Sequence, residues 1–426
     1  MGRLGVARRP IIRRMHDTEL YGKLLGLSEP WFVDRLEARL LEGRVDLWVA
    51  HREDVPWRCP ECETVCALHD HAEERTWRHL DTMQYRTLVH ARPPRVRCSE
   101  HGVRQVPVPW AEQRSRFTLL FECFAINVLE QTSVSGAQRI LQLSWMEAWN
   151  IKRRAVQRGL DRKTVNPPKR IGVDEKATGK GHQYMTLVCD IDRGKITWVA
   201  TDREAASLGG YFEHLGEGVK QIEAVAMDMW PAYLHAVREY VPDAESKIVY
   251  DRFHVAREIG QGLDQVRKDE HRALTRRGIA TLKSTKYWWL SNKGNVPHKH
   301  RRAFVRLRER SLRTARAWAI KELLRRLWTY RTESRATTFW KRWYGWASRC
   351  RLVPVVKAAK KLRKNLRYIL NYFRHRITNA LSESLNAQIE KVKRLAQGYR
   401  NRDNLRIAIY FHCAGLDLYP STHAKL

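Results

Sequence analysis

AVAMDMWPAY, residues 224–233, decides how this chain is read. Its first four residues are apolar and suit a buried strand, but the run meets Asp228 and then Trp230-Pro231, which restart the chain as a helix. A carboxylate ending a buried strand costs free energy unless a cation or a set of donors offsets it. Pro231 suits a first helical turn, so the acid is held at a fixed strand exit. The plain alternative is that Asp228 only caps the following helix.

The flanking residues favour the cation. From Lys169 the patterns read as strand (RIGVDE), strand (QYMTLVCDID), strand (KITWVATD), helix (EAASLGGYFEHL), strand (IEAVAMDM), helix (WPAYLHAVREYV) and strand (SKIVYDRFHV). Three sequential strands followed by alternating helix and strand predict an α/β, RNase H-like sheet whose first and fourth strands are neighbours. Asp174 and Asp228 then meet at one place and make a Mg2+ site, although Asp174 alone would find an arginine partner easily. Asp251 and His254, placed on the fifth strand, are further candidates near the metals, His254 to orient a phosphate or the nucleophile.

Composition points to the substrate. Among 426 residues, 79 Lys and Arg face 46 Asp and Glu, a net charge of +33 on a chain that is 43% hydrophobic and so able to build cores. Such a surface is made for nucleic acid, with an anionic membrane as the rival. No apolar run reaches the ~20 residues of a membrane span, and the basic N-terminus has no apolar segment after it. The expected location is the cytoplasm. Eight cysteines in so long a chain make no disulfide scaffold.

The cysteines cluster. Cys59-Pro60-Glu61-Cys62 and Cys98-Ser99-Glu100-His101 are two pairs with two-residue gaps, the spacing of a Cys3His zinc site, with Cys66, His69 and His71 as substitutes. The residues between alternate like strands of a sheet too thin to stand without a metal. From Arg116 the period turns helical: FTLLFECFAINVLEQ, SVSGAQRILQL and SWMEAWNIKRRAVQRGL, the third opened by a Ser144/Glu147 capping box. Lys152, Arg153, Arg154 and Arg158 load that helix with charge, the layout of a helix-turn-helix reader with its last helix in the major groove. A three-helix bundle with a solvated basic face is the bland alternative.

Several long phrases carry a resemblance: GVDE, HQYMTLVCDID, AVAMDMWPAY, YDRFHVAREI, TARAWAIKEL, KRWYGWA, LNYFRHRITNALSESLN and GYRNRDNLRIAIYF. Together, in this order and over essentially the whole chain, they resemble the ISL3 family of bacterial insertion-sequence transposases. The resemblance implies a DDE catalytic domain that cuts and joins DNA at the ends of a mobile element, with Asp174, Asp228 and Glu383 as its acids and two Mg2+ (or Mn2+) per site. It carries over Cys59, Cys62, Cys98 and His101 as the ligands of one structural Zn2+. It also implies double-stranded DNA, terminal inverted repeats and target, as partner, and a homodimer or larger assembly on it. Asp251-Arg252-Phe253-His254 is similar to the Asp/Cys-x-x-His signature of several eukaryotic cut-and-paste groups.

Expected boundaries are an N-terminal helical, basic segment (1–54), a zinc module (55–110), a helix-turn-helix domain (111–164), the first catalytic part (165–260), an all-helical insertion (261–370) and a C-terminal catalytic part (371–426). The insertion is inferred from the 154 residues between Asp228 and Glu383. Its tryptophans are expected to fill its own core, except Trp288 and Trp289, beside the loop-like SNKGNVP, which are candidates for stacking on bases. In ITNALSESLNAQIEKVKRLAQGYRN, a helix from about Thr378 to Gln397 puts Glu383 and Glu390 on one face. Asn379 and Asn386 flank Glu383, whereas Glu390 lies among Lys391, Lys393 and Arg394, basic residues also counted as DNA contacts. Two other functions remain open at this point, a transposase-derived regulator and a structure-specific nuclease such as a junction resolvase.

Overall fold

The computed structural model describes residues 16–164, 166–179, 184–202, 204–310 and 312–421. The start of the expected N-terminal segment, and His182 and Gln183 of the expected second strand, lie outside them. The chain divides into two compact units, one running to Lys163 and taking up the chain again from Leu416, the other Thr164–Gly415.

In the first unit, α1 (Asp17–Leu24) precedes β1 (Trp31–Arg39), β2 (Arg44–His51), β3 (Trp57–Arg58), β4 (Val65–His71), β5 (Arg75–Thr82), β6 (Tyr85–Ala91), β7 (Pro94–Cys98) and β8 (Gly102–Gln105). They form two four-stranded sheets, β1-β2-β6-β5 and β3-β4-β7-β8. The expectation of a helical, basic segment up to residue 54 is therefore corrected: after α1 its described part holds two sheet strands, β1 and β2. Val45, Leu47 and Val49 alternate into the core, and Gly43 turns between the strands at φ +68°. Because β6 pairs in parallel with β2, the expected zinc module does not fold apart from this segment.

Three helices follow, α2 (Leu119–Gln131), α3 (Val134–Leu141) and α4 (Trp145–Asp161), capped by Thr118, Ser133 and Ser144. Both halves of the Ser144/Glu147 capping box are formed. The inward face of α4 includes Lys152, 2% exposed, as well as Ala148, Ile151 and Ala155. Its outer end is closed by the returning C-terminal stretch. A Cβ on Gly159 would lie 2.6 Å from the Leu416 side chain, Arg158 donates to the Leu418 carbonyl (2.5 Å), and Tyr419 donates to Asn127 on α2 (2.6 Å).

The second unit opens with β9 (Arg170–Ala177), β10 (Tyr184–Asp190) and β11 (Lys195–Ala200), an antiparallel meander. It continues through α5 (Ala205–Leu215), β12 (Ala224–Met227), α6 (Pro231–Tyr240), α7 (Ala244–Lys247) and β13 (Ile248–Tyr250). Sheet order is β11-β10-β9-β12-β13, so the first and fourth strands of the unit are neighbours, paired in parallel with Val173 opposite Met227. The fifth strand is shorter than expected. It stops at Tyr250, and Asp251 caps α8 (Arg252–Arg276) by accepting from the Phe253 amide, so His254 stands on the first turn of a 25-residue helix and not on a strand.

Helices continue as α9 (Lys286–Leu290), α10 (His298–Glu309), α11 (Arg313–Leu324), α12 (Glu333–Ser348), α13 (Val353–Lys364), α14 (Leu366–Leu370), α15 (Tyr372–His375), α16 (Ala380–Leu395) and α17 (Arg402–Cys413). One buried cluster runs from Ile171 on the sheet to Ile377, through Leu263 of α8 and Trp318, Trp340 and Trp343. These tryptophans are core, as expected. Trp289 joins them fully buried, its indole donating to Thr285, so it is unavailable for stacking on DNA. Trp288 is half-buried against His300 and Phe304.

The buried lysine yields a prediction. Desolvation lowers the Lys152 pKa to about 7, against 10.5 in the unfolded chain. Between those values the unfolded state holds the proton and the folded state does not, so stability rises with pH across that window. Lys152→Met is expected to raise the Tm at pH 7, with a gain on the order of a few kcal/mol that shrinks toward pH 10. Thermal melts of both proteins across this range check it, and a gain that does not change with pH would exclude the buried ammonium as its cause.

Candidate catalytic and metal-binding sites

Parallel pairing of β9 with β12 fixes where Asp174 and Asp228 go. Asp174 follows Val173 and Asp228 follows Met227, one step beyond the paired residues and at the same end of the sheet. Asp228 is 5% exposed. It is not a helix cap, because α6 begins at Pro231 with no side-chain cap. His254 Nε2 lies 2.9 Å from Asp228 Oδ1, an ionic contact whose angle leaves that oxygen without a well-aligned donor. Burial, and then the charge of Asp228, push the Asp174 carboxyl up to about 6. Burial opposes charge on His254, yet the acids Asp228, Asp251 and Asp174 raise its pKa above the ordinary imidazole value. Burial also raises Asp251, whose carboxylate is held by the Phe253 and Asn379 amides.

A further side chain at this place is one that sequence reasoning treated only as a neighbour. Asn386 on α16 donates from Nδ2 to Asp174 Oδ2 at 2.6 Å, and its Oδ1 is buried with no hydrogen-bond donor among the described residues. Glu383 stands one turn earlier on the same face, exposed on the first turn of the helix. Glu390, one turn later, is held by Lys176 at 3.0 Å and Lys393 at 3.3 Å, and Lys176 pulls its pKa down. Lys176 also donates to the Asn386 carbonyl, pinning α16 to β9. Lys393 donates to the Ala177 carbonyl as well, which takes it out of the expected DNA-contact set, while Lys391 and Arg394 remain exposed. Two carboxylates, Asp174 and Asp228, and the buried Asn386 Oδ1, with Asp228 Oδ1 and Asn386 Oδ1 both lacking aligned donors, suit a hard divalent cation such as Mg2+.

In the other unit Cys59, Cys62, Cys98 and His101 converge, with their ligand atoms all within 4.8 Å of one another. Cys62 Sγ is 3.6 Å from Cys98 Sγ, and His101 Nδ1 is 3.8 Å from Cys59 Sγ and 3.7 Å from Cys98 Sγ. Ligand bonds of about 2.0–2.3 Å around a tetrahedral Zn2+ give edges of this length. Backbone amides of His101 and Glu100, then the His101 ring, lower the Cys98 thiol to about 6, toward the thiolate a metal needs. The open choice of substitutes closes here. Cys66 donates to the Thr64 carbonyl, His69 meets Arg97, and His71 meets His51 at 2.8 Å.

The helix-turn-helix keeps its outline, but the basic residues of α4 divide between its inner and outer faces. Arg154 meets buried Glu122 at 2.5 Å, Arg158 joins Glu112 (2.6 Å) and Glu122 (3.0 Å), and Lys152 points inward. Two of the four basic residues expected to contact DNA therefore bind α4 to its neighbours, and a third, Lys152, is buried. Arg153 alone of the four is exposed, in line with Met146, Asn150 and Gln157 at i, i+4, i+7 and i+11. Charge counting does not distinguish a basic residue paired inside from one left outside.

Comparison with known proteins accords with this layout. A family described as "Transposase" matches residues 171–409. One described as "zinc-finger of transposase IS204/IS1001/IS1096/IS1165" matches 55–101, and "Helix-turn-helix domain of transposase family ISL3" matches 106–156. The chain is similar to the transposase for insertion sequence element IS1001 of Bordetella parapertussis, 27% identical over 81% of this chain and 86% of that one. It is similar also to the transposase for insertion sequence element IS1557 of Mycobacterium tuberculosis, 27% identical over 91% of this chain and 93% of that one.

Two outcomes are expected. The purified protein carries one zinc that Cys98→Ser removes, by metal analysis, and full zinc in that variant would refute the ligand set. Arg153→Ala weakens binding to duplex DNA about tenfold at unchanged Tm, whereas Arg154→Ala lowers the Tm because it strips a partner from buried Glu122. Equal melting of the two variants would return Arg154 to the DNA-reading set.

Proposed function

The chain belongs to the ISL3 family of transposases, and we propose that it cuts and rejoins DNA at the ends of its insertion sequence through Asp174, Asp228 and Glu383 on an RNase H-like sheet. The observation that carries the reading is the adjacency of Asp174 and Asp228 on parallel-paired β9 and β12, with Asn386 of α16 hydrogen-bonded to the first of them. Asp174, Asp228 and Glu383 would hold two Mg2+, with the Asn386 side-chain Oδ1 as a further oxygen ligand. Bound there, the ions supply activation of the attacking hydroxyl and neutralisation of the leaving oxygen.

The protein's own groups do the rest. Asn386 orients Asp174, and His254 balances the charge of Asp228 and turns that carboxylate toward the site. Glu383 is preferred over Glu390 as the third acid. Glu383 has no ion pair among the described residues, whereas Glu390 is engaged by Lys176 and Lys393. Terminal-repeat recognition falls to the α3–α4 pair, through Asn150, Arg153 and Gln157, with the zinc-bound sheet giving phosphate contacts. A dimer or larger assembly on the DNA would bring two ends together.

Cleavage and strand transfer on the element's end sequences test this. Glu383→Gln and Asp228→Asn are expected to lower Mg2+-dependent cleavage by roughly a thousandfold while sparing DNA binding. Glu390→Gln should cleave nearly as wild type, and the opposite ranking would move the active site one turn pair along α16. Because Asp174 takes up a proton near pH 6, and the protonated acid is a poor metal ligand, the Mg2+ needed for half-maximal cleavage should rise as pH falls through about 6. A requirement that stays flat from pH 7 to 5 would show that Asp174 takes up no proton in that range.

A further inference from the structure

Next to the carboxylate pair, the exposed side of α8 borders a cavity of about 670 Å3 that continues to α9 and the loop after it. Phe253 stands at one end, 58% exposed, immediately before His254, which touches Asp228. An exposed ring of this size at a buried polar site is unusual, because its apolar face is left in water. The walls beyond it are polar: Arg257, Gln261, Asn292 and Lys286. Arg257 and Lys286 are exposed, and the one acid on the lining, Asp264, is already neutralised by Arg267 (2.7 Å) and Lys268 (3.1 Å). The lining is thus cationic and offers amide donors and acceptors.

Gly260 is the second, independent observation. A glycine inside a long helix is unfavourable relative to alanine, and usually a neighbour's close approach explains it. Gly262 has that reason, because a Cβ there would meet the Pro354 carbonyl at 3.0 Å. Gly260 does not. A Cβ there meets nothing within 4 Å, and the residue lies on the cavity wall. The helix gives up propensity to keep this space clear.

We propose that the groove along α8 binds unpaired DNA, one or two nucleotides of a strand leaving the carboxylate pair, with a base stacked on Phe253. A volume of this order suits a nucleotide-sized ligand and not a duplex. A single aromatic face needs a base freed from its partner, and the cations meet the phosphates. The proposal rests on the catalytic reading above only for the strand's being cut DNA.

The test uses the full zinc-loaded chain, with no Mg2+ added so that no strand is cut, and a fluorescent oligothymidylate of about twelve nucleotides read by anisotropy. Phe253→Ala is expected to weaken this binding about five- to a hundredfold, the loss of one base stack, and Phe253→Trp to restore it. Gly260→Leu, which fills the groove, should weaken it as much with a Tm equal to or above wild type. Affinity for a duplex of equal length should change less than twofold in all three. Wild-type oligonucleotide binding by Gly260→Leu and Phe253→Ala, or equal losses for single strand and duplex, would overturn the groove. Asp228→Asn, assayed in parallel with Mg2+, separates the two ideas: normal cleavage by that variant sinks the catalytic reading and leaves the oligonucleotide result standing.

Discussion

The parallel pairing of β9 with β12 is the constraint on which the catalytic unit depends. Two strands far apart in sequence are locked with Val173 opposite Met227, and the next residue on each is an aspartate. Neither acid would be tolerated alone in such apolar surroundings, and the pair is worse, as the raised Asp174 pKa shows. The fold offsets this locally, with an imidazole on Asp228 and an amide on Asp174. Stability is spent here so that the site is ready for a cation.

A buried acid offset by basic side chains also holds α4 in place. Glu122 on α2 is 1% exposed, and it accepts from Ser115, Arg154 and Arg158. Two guanidinium groups that look like DNA ligands instead fix the angle at which α4 is presented. Arg153 reaches outward because its neighbours do not. Specific recognition needs such rigidity, since base contacts tolerate little misplacement.

Much of this was legible in the residues. The strand order, the meeting of Asp174 with Asp228, the helix-turn-helix and the four converging zinc-site residues follow from patterns with fixed geometry: period two, a capping box, paired two-residue gaps. What was not legible depends on partners distant in sequence. Trp289 reads as a loop-side aromatic until Thr285 and the helical core enclose it. Residues 31–51 read as a basic segment because their strands complete a sheet with β5 and β6 that appear only later in the chain. The end of the fifth strand was misjudged because YDRFHV is apolar enough for either state, and the Asp251 cap decides for helix.

The returning C-terminal stretch has a consequence for how the protein is made. Leu416 fills the notch over Gly159, and Arg158 and Asn127 are satisfied by Leu418 and Tyr419. A ribosome that has finished the first 163 residues has therefore not yet synthesised the piece that closes them. The DNA-reading unit, first to emerge, is among the last to be completed, after the whole cutting unit has passed through the exit tunnel. Nascent chains stalled in between present an open seam along α4, beside Gly159 and Arg158.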